Sequence, residues 1–158
     1  MQLFERGGAQ AAEEALADES RHRYLLFSLK GETYGAPLTT VREVLKLGAV
    51  KPVPYKSDYF LGVINLRGQI VSIIDLGMRF GLSREPEARG LVIVVETKYG
   101  VIGAVVTDLL CVKTIQPRDV EKHPSIDTQV PPRYCLGIAK TERGLVNLVD
   151  ASGILGDE

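Results

Sequence analysis

From Tyr24 onward the chain is a series of short apolar runs separated by Gly, Pro, Asp and Asn. The runs are YLLFSL at 24–29, GQIVSIID at 68–75, LVIVVE at 91–96, GVIGAVV at 100–106 and GLVNLVD at 144–150. Each has strand length, is rich in Val, Ile or Leu, and is bounded by turn formers, so each predicts a β-strand. Within this body only Ser57–Leu61 reads as helical, with Ser57 or Asp58 available as a cap. Residues 7–20 have a different texture, rich in Ala and Glu, and predict a short exposed helix or a loose tail over 1–21. The body, 22–158, is expected to be all-β, because many short strands with frequent turns build sandwiches or small barrels.

The pattern repeats. Leu61-Gly62-Val63 returns as Leu136-Gly137-Ile138, and Ile70–Asp75 returns as Leu145–Asp150, both at an offset of 75 (136 − 61 and 150 − 75). Tyr34-Gly35 returns as Tyr99-Gly100, and Val41–Leu45 as Val106–Leu110, at an offset of 65 (99 − 34 and 106 − 41). Conserved order in two separate matches indicates a duplication. The copies are expected at about 24–82 and 90–155, joined by the polar, Pro-containing stretch 82–87. A unit of about 60 residues is small for an independent core, so the two are expected to pack together and share apolar surface. They differ most at their turns, Asn65–Gly68 against Thr141–Gly144.

Charge narrows the function. Nineteen basic residues face 20 acidic ones, a net charge of −1, and a nucleic-acid surface needs an excess of cations. Aromatics are 6% of the chain, too few for base-stacking platforms. Residues 1–20 lack an apolar run and carry Glu5, Glu13, Glu14, Asp18 and Glu19, unlike a signal peptide. The most apolar window, Leu91–Val112, is broken by Glu96, Lys98 and Asp108, so no membrane insertion is expected. Cys111 and Cys135 have no Cys-x-x-Cys spacing and read as two reduced thiols of a cytoplasmic protein.

No catalytic constellation stands out. His22 and His123 neighbour no nucleophile motif, and no His/Cys/Asp cluster has ligand spacing, so neither metal nor cofactor is expected. Gly31–Gly35 lacks the Lys-Ser/Thr of a phosphate loop. Asp75 and Asp150 occupy equivalent repeat positions, and each is expected to end a strand and cap the turn that follows. An enzyme is therefore not expected.

Two stretches read as binding surface. In Gly62–Ile70, Asn65 and Gly68 bracket a tight hairpin turn from which Arg67 projects. Its fork of donors suits a partner carboxylate or carbonyl, although a solvated turn arginine is an equal alternative. In Thr40–Leu45, Val41 and Glu43 share one face of an extended segment, and Arg42 and Val44 share the other. Each face pairs an apolar residue with a charge, as on an edge strand, at a bend or at an interface rim.

These residues resemble the CheW family, the coupling proteins of bacterial chemosensory arrays. The resemblance rests on Tyr24–Phe27 with Tyr34-Gly35, Val41-Arg42-Glu43-Val44, Pro52-Val53-Pro54, Gly62–Gly68 and Ile73–Leu76. It implies two pseudo-symmetric, intertwined five-stranded barrels of the SH3 type. It implies an adaptor without catalysis that joins the cytoplasmic tips of methyl-accepting receptors to the regulatory domain of the histidine kinase CheA. Other CheW-like domains in rings are further partners, and recruitment to membrane-associated arrays follows. Carried over by position, the contact residues are Val41, Glu43, Gly62, Asn65, Arg67 and Ile70, with Gly103 and Leu109 in the second half. An adaptor of a chemosensory pathway with pili or another output fits the same residues. A small-ligand-binding barrel, with Arg67 reading a phosphate, is the rival from another class.

Overall fold

The structure, a computed structural model, describes residues 8–13, 21–54, 57–82, 90–98, 100–122 and 134–150. Residues 8–13 are helical (α1) and exposed. Eleven strands follow: β1 Arg23–Leu29, β2 Glu32–Pro37, β3 Val41–Lys46, β4 Phe60–Leu66, β5 Gln69–Asp75, β6 Leu91–Thr97, β7 Gly100–Val106, β8 Asp108–Thr114, β9 Val120–Glu121, β10 Cys135–Thr141 and β11 Gly144–Val149. A short helix, α2, spans Leu76–Arg79. Asp75 caps it by accepting from the Met78 backbone N–H at 3.1 Å, the role expected of this carboxylate. The segment Ser57–Leu61 is not a helix: 58–59 form a turn and Phe60-Leu61 begin β4. The Val-Ile-Asn-Leu run that follows favours an extended chain.

Two sheets form, in the orders β8-β1-β2-β11-β10-β9 and β3-β6-β7-β5-β4. Each rolls around its own apolar cluster as a small barrel. Barrel one (β3–β7) encloses Val71, Ile73, Val92, Val94 and Val105, and barrel two (β1, β2, β8–β11) encloses Leu26, Ile115, Ala139, Val146 and Leu148. A third and larger cluster lies between the barrels, with Leu25, Phe27, Tyr34, Ile74, Phe80, Ile93, Val95, Ile102 and Tyr134 among its members. The uninterrupted run in β6 now has a cause. Val92 and Val94 point into barrel one while Ile93 and Val95 point into the central layer, so both faces are buried. Aromatic rings form a ladder through that layer, Phe27 to Tyr34 to Phe80 to Tyr134, at centroid spacings of 5.9, 6.0 and 6.0 Å. Burial, and then Glu32, raise the Tyr34 phenol to about 12, so it stays neutral within this core.

The ranges 24–82 and 90–155 describe repeats of sequence, and the barrels are cut differently. β2 runs parallel to β11, and β5 runs parallel to β7. Each repeat thus lends its leading hairpin to the barrel closed by the other repeat. The reason is that each leading hairpin is apolar on both faces, one for a barrel interior and one for the central layer. The offset for the leading strands is also corrected. Leu29 pairs Glu32 as Thr97 pairs Gly100, and Phe27 pairs Leu109 as Val95 pairs Val41, an offset of 68 (97 − 29 and 109 − 41). Gly35 therefore matches Gly103, not Gly100. A Cβ on Gly35 would meet Leu148 and Val146, and a Cβ on Gly103 would meet their equivalents Ile73 and Val71. The offset of 75 for the closing hairpins holds: both carry a register shift, at Phe60/Gly62 and at Cys135/Gly137. Beyond Leu82 the expected join lies outside the described residues, as do Tyr99 and His123.

Candidate functional site

The β4–β5 hairpin closes with Leu66 opposite Gln69, leaving Arg67 and Gly68 as a two-residue loop. Both have positive φ, 51° and 85°, as a tight primed turn demands. Gly68 adopts this freely and Arg67 does so at a cost. The Asn65 side chain accepts from the Gly68 N–H at 2.8 Å and pins the turn. The side chain of Arg67 is 70% exposed, yet it is not loose: its guanidinium donates to the Glu43 carboxylate on β3. β3 is an edge strand, as its mixed faces suggested, and its pairing with β6 shifts register between Val41 and Glu43. The shift keeps Glu43 half-buried and turned toward the hairpin tip, while Arg42 and Val44 face solvent.

The hairpin tip is thus latched to the edge strand by a charge-assisted bond. Ile70 is 63% exposed. A recess of about 160 Å³ lies beside the latch, lined by Arg42, Glu43, Leu66, Arg67, Gln69, Val94 and Val101. Arg42 adds a second tie, donating to Gln69 at 3.4 Å and sitting 3.7 Å from Glu96. Neither Arg42 nor Gln69 is among the contact residues expected from the sequence. Their signal was the charge alternation in β3 and the position of Gln69 just past the turn.

Glu43 and Arg67 come together in the ion pair and Asn65 pins the turn that presents Arg67, while Ile70, paired with Asn65, lies on the hairpin face opposite Leu66 and Gln69. The other expected contact residues take different places. Gly62 is buried at the β4 register shift with φ of 141°, and a Cβ there would lie 2.2 Å from the Lys51 carbonyl oxygen. It shapes the strand rather than the surface. Gly103 is buried in β7, where a Cβ would meet Ile73 and Val92 at 2.7 Å. Val41 and Leu109 occupy equivalent positions, both half-buried against the central layer.

Barrel two also ties its hairpin tip to the edge strand, with the polarity reversed and from two residues further along, since Glu43 corresponds to Cys111 and Leu45 to Lys113. Glu142, equivalent to Arg67 by the offset of 75, accepts from Lys113 on β8 at 2.7 Å. Lys113 holds the Glu142 carboxyl below the usual range, first through this hydrogen bond and then through charge. Barrel two also bears exposed Val112 and Leu145, the counterparts of exposed Val44 and Ile70.

Among the described residues no group of three His, Cys, Asp or Glu is placed to hold a metal ion. Both cysteines are free. No described helix is long and apolar enough to cross a membrane. A model of the CheW-like domain matches residues 23–158. The chain belongs to the CheW-like family. It is 30% identical over 138 residues to the chemotaxis protein CheW of Klebsiella aerogenes, covering 85% of this chain and 82% of that one. To the chemotaxis protein CheW of Rhizobium meliloti it is 28% identical over 135 residues, covering 85% and 87%. Protein FrzA of Myxococcus xanthus is 28% identical over 152 residues, covering 92% and 93%. Among solved structures, the scaffolding protein TtCheW of Thermoanaerobacter tengcongensis superposes with a TM-score of 0.77 at 29% identity, covering 85% of this chain and 92% of that one. The CheW-like fold accounts for the two barrels and for the position of the latched hairpin within them.

Proposed function

We propose that this CheW-like chain is an adaptor with no catalysis of its own, coupling the cytoplasmic tips of methyl-accepting chemoreceptors to a histidine kinase of the CheA type. The face around Arg67 is one of its contacts. The reading is carried by one observation: an exposed guanidinium, held in place by Glu43, crowns a hairpin that leaves Ile70, one pair further along, largely exposed. An arginine fixed before binding loses less side-chain entropy on docking, and Arg near an exposed aliphatic residue has the makeup of an interface hot spot. A helical receptor hairpin offers apolar side chains for Ile70 and acidic groups for Arg67. In this reading the chain works in the cytoplasm and joins membrane-associated arrays through its partners. The names of its relatives, chemotaxis protein and scaffolding protein, support the same role.

A second reading, an adaptor for pili or another output, is favoured by the likeness to FrzA, which spans 92% of this chain. The small-ligand rival gains no support from the barrels, whose interiors are filled by aliphatic side chains. The test is reconstitution of the protein with receptor-containing membranes and kinase, reading kinase autophosphorylation. Receptor control of the kinase is expected with the parent chain and is expected to be lost with Arg67→Ala. Unchanged control in the variant would remove Arg67 from the contact.

A further inference from the structure

The closing hairpins of the two barrels have matching roots, and one side chain joins them. Tyr59 precedes β4, and its carbonyl accepts from the Asp75 N–H at 2.7 Å. Tyr134 precedes β10, and its carbonyl accepts from the Asp150 N–H at 2.8 Å. The two tyrosines are equivalent by the offset of 75 (134 − 59 and 150 − 75). Tyr134 is a member of the central layer, and Tyr59 packs against it. Arg79, the last residue of α2, meets both. Its guanidinium carbon lies 4.6 Å from the centre of the Tyr59 ring and 5.3 Å from that of Tyr134, and the guanidinium also donates to the Tyr134 hydroxyl. Barrel one thereby offers one cation to the roots of both hairpins, its own and its sister's. The residue 75 positions after Arg79 is Ile154, so the second repeat carries no cation at that position.

The rest of the central layer is mostly aliphatic side chains and the aromatic ladder. Such contacts attract without direction, and apolar cores lose uniqueness of arrangement before they lose stability. A hydrogen bond and two ring faces demand one position of the guanidinium, and with it one setting of the barrels. We propose that Arg79 is the positioning residue that selects a single setting of barrel two against barrel one, contributing specificity of arrangement rather than strength. β5 runs from the Arg67 turn to α2, and β10 runs from Tyr134 to the turn that holds Glu142, so the joint lies at the end of each hairpin away from its tip. A small rotation at the roots becomes a displacement of the tips. That the tips serve two partners at once rests on the adaptor reading; the setting itself does not, and its test uses the chain alone.

The test is methyl relaxation-dispersion NMR on the full chain and on Arg79→Met, which keeps the bulk of the side chain and removes the cation and its fork. Adjacent residues report on different layers: Ile74 and Ile93 lie in the central layer, Ile73 and Val92 inside barrel one. Arg79→Met is expected to melt within about 4 °C of the parent. It is also expected to populate a second setting to about 1–10%, seen as exchange at Ile74, Ile93 and Ile102 while Ile73, Val92 and Leu148 stay quiet. Tyr134→Phe keeps the ring and removes the hydrogen bond, and is expected to give weaker exchange at the same three methyls. The proposal is overturned if those methyls are as quiet in Arg79→Met as in the parent, or if the interior methyls exchange equally. It is also overturned if Arg79→Met melts lower by more than the stated margin or does not fold, since Arg79 would then supply strength. Failure of receptor control in reconstitution would leave each of these outcomes unchanged.

Discussion

The two barrels share one backbone plan and differ in what their tips carry. Both kink the closing hairpin at a positive-φ glycine, Gly62 or Gly137, and both set a glycine, Gly35 or Gly103, where strand and interior side chains meet closely. Both tie the hairpin tip to an edge strand by an ion pair. In barrel one the tip carries Arg67 and sits on a left-handed turn; in barrel two it carries Glu142 followed by Arg143, and the positive φ falls instead on Gly144. Duplication has kept the positions that shape the sheet and released the tips. A partner that reads Arg67 meets Glu142 at the matching position of the sister barrel, with Arg143 beside it, so the two tips present different charge patterns.

The sharpest way to break the comparison is at the kinks. Gly62→Ala forces a Cβ toward a backbone carbonyl and is expected to cost about 4 kcal/mol in denaturant unfolding. Gly137→Ala meets the Val120 side chain first, at 2.6 Å, and is expected to cost less. Equal losses would show that the kinks are not graded as their surroundings suggest. At the tips, Arg67→Ala is expected to weaken partner binding by about 2–4 kcal/mol with little change in melting, while Glu142→Ala is expected to leave binding nearly unchanged. Similar effects from both would erase the functional difference between the ends. Arg67→Asn separates folding from binding further. Asn tolerates the left-handed turn, so stability is expected to rise by about 0.5 kcal/mol while binding is lost. The smallest effect concerns the reversed latch. Because Lys113 lowers the Glu142 pKa in the folded state, the contribution of the pair is present above the usual Glu range and fades as pH falls through the lowered value. In Lys113→Met the Glu142 carboxyl, followed by NMR titration, is expected to move back up to the ordinary range.

Much of this was legible in sequence, for definable reasons. Short apolar runs and turn residues exposed the strands, and the closing hairpins kept enough identity to give the offset of 75. The leading hairpins did not. Tyr34-Gly35 and Tyr99-Gly100 look alike, but pairing aligns Gly35 with Gly103, three residues further on. Side-chain identity misled there because what is kept is a close approach, not a residue pair. The exchange of hairpins between repeats came only from the resemblance, as intertwined barrels, and not from the runs themselves, since a strand buried on both faces does not announce which barrel it joins. At the site, Arg67 and Glu43 were named separately, 24 residues apart, and only the closure of barrel one shows them bonded. Gly103 and Leu109 were carried over by position alone; the fold buries Gly103 in β7 and half-buries Leu109 against the central layer.

The exchanged hairpins set the order in which the chain can be completed during its synthesis. Barrel one occupies one continuous stretch, residues 41–106, and can close while the C-terminal third is still being made. Barrel two cannot. Its first two strands emerge before anything else, and β2 gains its parallel neighbour β11 only after about a hundred further residues have been made. Until then Leu26 and the apolar face of β1 have no barrel interior to enter. The earliest part of the β body to be synthesised is therefore among the last to be satisfied, and a chain that stops before β11 leaves that edge open to a neighbour.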